Sequence, residues 1–183
     1  VYCINLVNDN QKLDTFIHEY DFPIHDLIIS YKEDIIKQFE SKLNFNKGNN
    51  IPYTNSYLED LVFPKFLDLI KNNYEVDNLI NDLKLWVYVQ NNFFNRPSLH
   101  HHIPTSTLNA VFYINIPKIG GELEFKYEDT SYVLSPKKDK IYIFPYWLPH
   151  KPLPQKDEDK RICFNLEYFC KQRPMHKETQ IIW

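Results

Sequence analysis

The sequence predicts an α+β fold in which helices come first and pack outside a compact antiparallel β unit. Three observations carry that expectation. Apolar residues recur at helical spacing through the first half of the chain. Near residue 83 the pattern changes to short runs rich in β-branched and aromatic residues. Turn signals separate those runs, and no helical pattern lies between them.

In chain order, QKLDTFIHEYD (11–21) carries Leu13, Phe16, Ile17 and Tyr20 at helical spacing. From His25 to Leu43 the pattern continues, with Leu27, Ile28, Tyr31, Ile35, Ile36 and Phe39 on one side. FNKGNNIPYTNS (45–56) is turn-rich and reads as a surface loop. YLEDLVFPKFLDLIK (57–71) is helical again, and Pro64 inside it is expected to kink or divide the helix. Strands are expected at 83–90, 108–116, 121–128, 131–135, 140–145 and 161–169, with Gly120-Gly121 as a tight turn. So many short strands in so little chain suggest a sandwich or barrel. The division is a helical N-terminal part (1–82), a β core (83–170) and a short C-terminal tail (171–183), all in one domain.

Composition narrows the function classes. The chain has 183 residues, 43% hydrophobic and 25% charged, so wholesale disorder is excluded. A net charge of -3 does not favour nucleic acid as a partner. No apolar run approaches the ~20 residues of a membrane span, and VYCINLVNDNQ has no basic-then-apolar signal pattern. Cys3, Cys163 and Cys170 are an odd, scattered set, which suggests free thiols in a reducing, cytoplasmic setting. A first residue of Val rather than Met suggests a piece of something longer.

Four histidines fall in the β half. Three are consecutive, in SLHHHIP (98–104), and His150 ends FPYWLPH. Side chains alternate along extended chain, so His100 and His102 share one face and His101 takes the other. Two imidazoles on one face form a bidentate metal platform, and a third from a neighbouring strand completes a facial set with open positions. A run of histidines also occurs as a solvated turn, and a lone histidine such as His150 is more often structural. Barrel closure is what would join the two. Arg161 opens the otherwise apolar strand RICFNLEYF, where its guanidinium suits a carboxylate in bidentate geometry. The plainer alternative pairs it with Asp157, Glu158 or Asp159 in the preceding loop.

His-x-His, the strand ending Tyr113-Ile114-Asn115, GGELEF, FPYWLPH and KRICFNL together resemble the Fe(II)- and 2-oxoglutarate-dependent oxygenases. Within them the chain is most similar to a branch common in phage and bacterial genomes. The resemblance covers roughly residues 83–169, and FPYWLPH followed by KRICFNL is its most specific part. It implies a double-stranded β-helix, a jelly-roll or cupin-like barrel with the N-terminal helices on its outer face. It also implies a hydroxylase-type enzyme that uses Fe(II) and decarboxylates 2-oxoglutarate to succinate.

Carried onto this chain, the resemblance makes His100 and His150 iron ligands, with His102 where most of the superfamily has Asp or Glu. Three readings of His102 stay open: a third ligand, which its branch pattern favours; a neighbour of a solvent-filled position; or a register in which His101 is the ligand. Arg161 becomes the anchor for the far carboxylate of 2-oxoglutarate, and Tyr113 matches a tyrosine that bonds the same carboxylate. Where many relatives have Ser, this chain has Cys163, and Asn165 on the same face is a replacement donor. The substrate class stays open among a peptide side chain, a nucleobase and a small metabolite. Two rival readings are a cupin-like three-histidine dioxygenase without 2-oxoglutarate, and a catalytically decayed β-barrel binding or structural protein of viral origin.

Overall fold

The computed structural model describes residues 16–41, 49–51, 55–76, 82–92, 98–103, 106–170 and 173–180. Its centre is a six-stranded antiparallel sheet. In spatial order the strands are β1 (His18–Asp21), β8 (Lys140–Pro145), β5 (Leu108–Asn115), β10 (Arg161–Phe169), β4 (Asp82–Gln90) and β2 (Asn49–Ile51). A second antiparallel sheet orders β7 (Thr130–Leu134), β6 (Leu123–Tyr127) and β9 (His150–Pro152), and a short pair joins β3 (Tyr74–Glu75) to β11 (Met175–His176).

The period-2 alternation of the central strands sorts the protein into layers. Leu108, Ala110, Phe112 and Ile114 of β5, with Ile162, Phe164, Leu166 and Tyr168 of β10, face one side and join the core beneath the helices. Val111, Tyr113 and Cys163 face the other side, where they meet Leu123, Phe125 and Leu134 of the smaller sheet in a second core. Each side chain fully withdrawn from water in these layers contributes about 1.5–3 kcal/mol.

The helices are α1 (His25–Ile28), continued through a 3-10 turn at Ile29–Tyr31 into α2 (Lys32–Ser41), and α3 (Ser56–Asn73). Asn55 caps α3 by accepting the Leu58 N–H on its side chain at 3.3 Å. Leu58, Val62, Phe66 and Ile70, four residues apart, form its buried stripe. Pro64 does not divide this helix: it lies on the exposed side, where water can hydrate the carbonyl that proline leaves unbonded.

Three further expectations are corrected. His18–Asp21 is not helical but an edge strand antiparallel to β8. Ile17, His18, Glu19 and Tyr20 are all buried, and four buried positions in succession suit a strand covered on both faces rather than an amphipathic helix. Residues 11–15 lie outside the described residues. Within the expected 45–56 loop, Asn49–Ile51 pairs with β4, a short partner that covers the backbone of an otherwise open sheet edge. Leu27, placed on the apolar side of its helix by periodicity, is 53% exposed, because α1 gives way to a 3-10 turn after a single turn. The six strands expected between residues 83 and 169 are all present. Cys163 and Cys170 are free thiols, both buried, whereas Cys3 lies outside the described residues. No described helix is long and apolar enough to cross a membrane.

Phe112 sits between Phe22 and Phe164, with ring centroids 5.3 and 5.2 Å away, and so ties the N-terminal segment to the central strands. Phe112→Ala is expected to cost about 3–5 kcal/mol in urea unfolding monitored by circular dichroism. A loss under about 1 kcal/mol would mean that this layer does not hold the helices on the sheet.

Candidate functional site

Between the two sheets lies a cavity of about 310 Å³, open at one end. Its walls come from the inward positions of the strands: Trp86 and Tyr88 on β4, Val111 on β5, and Arg161, Cys163 and Asn165 on β10. His100, His102 and His150 also line it.

Backbone pairing brings the three histidines together. His100 and His150 form an isolated antiparallel bridge, His100 N to His150 O at 3.0 Å and His150 N to His100 O at 2.8 Å. The His102 N–H donates to Tyr146 O at 2.9 Å, so SLHHHI runs beside the 146–150 segment that leads from β8 into β9. One ring nitrogen from each of His100, His102 and His150 lies within 4.8 Å of the others. His101 points out to solvent and lies outside this cluster.

Each ring is oriented from behind. His100 Nδ1 faces Ser98 O at 3.3 Å, His150 Nδ1 faces Leu148 O at 3.0 Å, and His102 Nδ1 faces the Glu167 carboxylate at 2.9 Å. A carbonyl or carboxylate only accepts, so each Nδ1 donates a proton in these contacts, and Nε2 is the ring atom turned toward the cavity. Burial, then the neighbouring His100, holds His150 down to about 3, and burial likewise lowers His100, so both are neutral imidazoles at neutral pH. His102 Nε2 and His150 Nε2 stand 3.3 Å apart, close enough for one cation to be shared between them. The donor set fits a divalent transition metal, with neutral imidazoles fixed by outer partners.

The other end of the cavity is a buried cation. Arg161 is 1% exposed. Its Nε–H donates to Gly121 O at 2.8 Å and an Nη2–H to the Tyr113 hydroxyl at 2.7 Å, which commits two of its five N–H groups. Its guanidinium carbon lies 4.9 Å from the Tyr113 ring centroid and 5.6 Å from that of Tyr88. Burial pushes Tyr113 up to about 12 and raises Tyr88 and Cys163 too, so none of these neighbours is an anion at neutral pH. Among the described residues no carboxylate pairs with Arg161; Asp157 instead accepts the Lys118 N–H at 2.5 Å. An uncompensated buried guanidinium is costly, and an anionic ligand in the cavity removes that cost.

Of the residues singled out in the sequence, the structure thus gathers His100, His102, His150, Arg161 and Asn165 around one cavity. Tyr113 lies behind Arg161 and holds it. Two residues were missed. Tyr88 stands across from Cys163 in the β10–β4 register. Glu167 occupies the next same-face position after Arg161, Cys163 and Asn165, and a carboxylate on the inward face of an apolar strand is the signal that could have found it.

No family model matches the chain, and no curated protein matches it. Solved structures do. The chain is similar to a prolyl hydroxylase from Trichoplax adhaerens in complex with a hypoxia inducible factor oxygen degradation domain peptide fragment, at TM-score 0.65 and 15% identity over 88% of this chain and 87% of that one. It is similar to the viral collagen prolyl hydroxylase of Paramecium Bursaria Chlorella virus-1 in its 2OG complex, at TM-score 0.60 and 15% identity over 85% and 97%. It is also similar to HygX from Streptomyces hygroscopicus with nickel and 2-oxoglutarate bound, at TM-score 0.61 and 10% identity over 91% and 88%. The chain therefore has the fold of the 2-oxoglutarate- and iron-dependent oxygenases.

Gly121 bears directly on the Arg161 end of the cavity. At φ +78 it occupies the left-handed region, and an added Cβ would lie 2.5 Å from Pro117 Cγ and 3.3 Å from Arg161 Cδ. Gly121→Ala is expected to destabilise the fold by at least about 1 kcal/mol and to displace Arg161, read as a lower Tm and weaker binding of small dicarboxylates. An unchanged Tm with unchanged dicarboxylate binding would show that the turn adapts without moving the guanidinium.

Proposed function

We propose that this chain is an Fe(II)- and 2-oxoglutarate-dependent dioxygenase of the hydroxylase type, built on a double-stranded β-helix whose catalytic core spans residues 83–170. One observation carries the reading: a fully buried guanidinium, with no carboxylate partner among the described residues, and a cluster of three imidazoles share a single cavity. A keto-diacid is a ligand that satisfies both ends at once. Its keto-acid oxygens suit a metal held by His100, His102 and His150, and its far carboxylate suits the Arg161 fork. The likeness to structures that hold 2-oxoglutarate with nickel supports the same pairing.

Each residue then has a physical task. The three imidazoles bind through Nε2 and leave the remaining coordination positions open. Arg161 fixes the cosubstrate's orientation, and Tyr113 keeps Arg161 from swinging away. Cys163 and Asn165 line the span between, where Asn165 is the stronger donor. Substrate approaches from the side of the exposed Ser98 and His100. When bound, the metal and its cosubstrate supply oxidative decarboxylation of 2-oxoglutarate to succinate and CO2, one oxygen atom of O2 entering succinate and the other a substrate C–H bond.

The test is anaerobic reconstitution with Fe(II) and 2-oxoglutarate. Wild-type protein is expected to develop a weak visible charge-transfer band. Arg161→Ala is expected to lose about 2–5 kcal/mol of 2-oxoglutarate binding, thirtyfold or more, while Arg161→Lys keeps part and Cys163→Ser is tolerated. Iron binding indifferent to 2-oxoglutarate would instead favour a cupin-like three-histidine dioxygenase. Binding of neither would mean a decayed site.

A further inference from the structure

We infer that Glu167 is a positioning residue for the metal site, supplying from behind His102 the negative charge that a coordinating carboxylate would otherwise bring. The inference rests on the function proposed above and concerns the same site.

The three imidazoles are not equivalent. His100 and His150 present Nδ1 to backbone carbonyls, neutral dipoles at 3.3 and 3.0 Å. His102 alone presents it to a carboxylate, Glu167 Oε1 at 2.9 Å. Both partners are largely removed from water, with side chains 12% and 14% exposed, so the bond is charge-assisted and weakly screened. Among the described residues no lysine or arginine forms an ion pair with Glu167, so its charge is not spent elsewhere. The carboxylate is held by β10 itself: Arg161, Cys163, Asn165 and Glu167 are successive inward positions of one strand, and the strand that places the guanidinium also places this carboxylate.

The electrostatics follow. Three neutral imidazoles leave a divalent ion at +2. A carboxylate on the far side of His102 brings the assembly to +1, the value a directly coordinating carboxylate would give. It also locks the Nε2 tautomer and makes that nitrogen a better donor. Because the charge acts through a ring, it occupies no coordination position.

The deciding experiment uses the intact protein and Co(II) as probe, titrated anaerobically by calorimetry and followed by its d–d absorption. Glu167→Gln, which keeps a hydrogen-bond acceptor and removes the charge, is expected to weaken Co(II) binding about 10–100-fold and to shift the d–d bands, and Glu167→Asp to recover part of the loss. In a His102→Ala background, Glu167→Gln is expected to change nothing further, since the carboxylate acts only through that ring. Wild-type affinity in a folded Glu167→Gln protein, or an undiminished effect without His102, would overturn the inference, as would wild-type protein that binds no Co(II). A wild-type protein that binds Co(II) but not 2-oxoglutarate, with the Glu167 dependence intact, would overturn the proposed cosubstrate and leave this inference standing.

Discussion

A β-strand has two faces, and β10 cannot exchange them. Ile162, Phe164, Leu166 and Tyr168 are buried against the helices, while Arg161, Cys163, Asn165 and Glu167 face the smaller sheet and the cavity. A one-residue slip would drive a guanidinium, an amide and a carboxylate into an apolar layer and turn four large apolar groups toward the cavity. Either error costs several kcal/mol per charged group, far more than any single hydrogen bond. Pairing with β4 on one side and β5 on the other fixes that register. The positions of Tyr88, Trp86 and Tyr113 follow from it, because cross-strand partners share a face.

The histidine cluster depends on a different constraint, the backbone bridge between His100 and His150. A bridge fixes two Cα atoms side by side without a long ladder, which suits a site at the mouth of a cavity between two sheets. Rings so placed need orientation, and three acceptors supply it, two of them carbonyls within two residues of the histidine they orient. Orientation is thus largely local, and the one long-range partner is Glu167, 65 residues from His102.

The strands between residues 83 and 169 were legible because their composition is β-branched and aromatic and their boundaries carry turn residues. The edge strand His18–Asp21 was not, because Leu13, Phe16, Ile17 and Tyr20 fall at helical spacing by composition while pairing with β8 decides the conformation. Pro64 misled in the opposite direction, since its cost depends on which side of the helix it lies, and only packing determines that. At the site, the alternation of His100 and His102 could be read directly. The approach of His150 could not, since 48 residues separate it from His102 and only strand pairing joins them. Glu167 was overlooked because an acidic residue late in a strand looks like a solvated end, yet its side chain is 14% exposed.

The likeness to solved oxygenases reaches 85–91% of this chain at 10–15% identity, well beyond the 83–169 stretch in which sequence motifs are recognisable. Both observations have one physical origin. A helix covering a sheet must present an apolar stripe, and Leu58, Val62, Phe66 and Ile70 meet that demand as well as many other apolar sets would. Positions that must hold a metal or a carboxylate have few chemical solutions. Motifs are therefore expected where chemistry is restrictive and not where only volume and periodicity matter. His102 is bound by the restrictive kind of demand: its ring is oriented by one carboxylate, Glu167, that β10 must place within 2.9 Å.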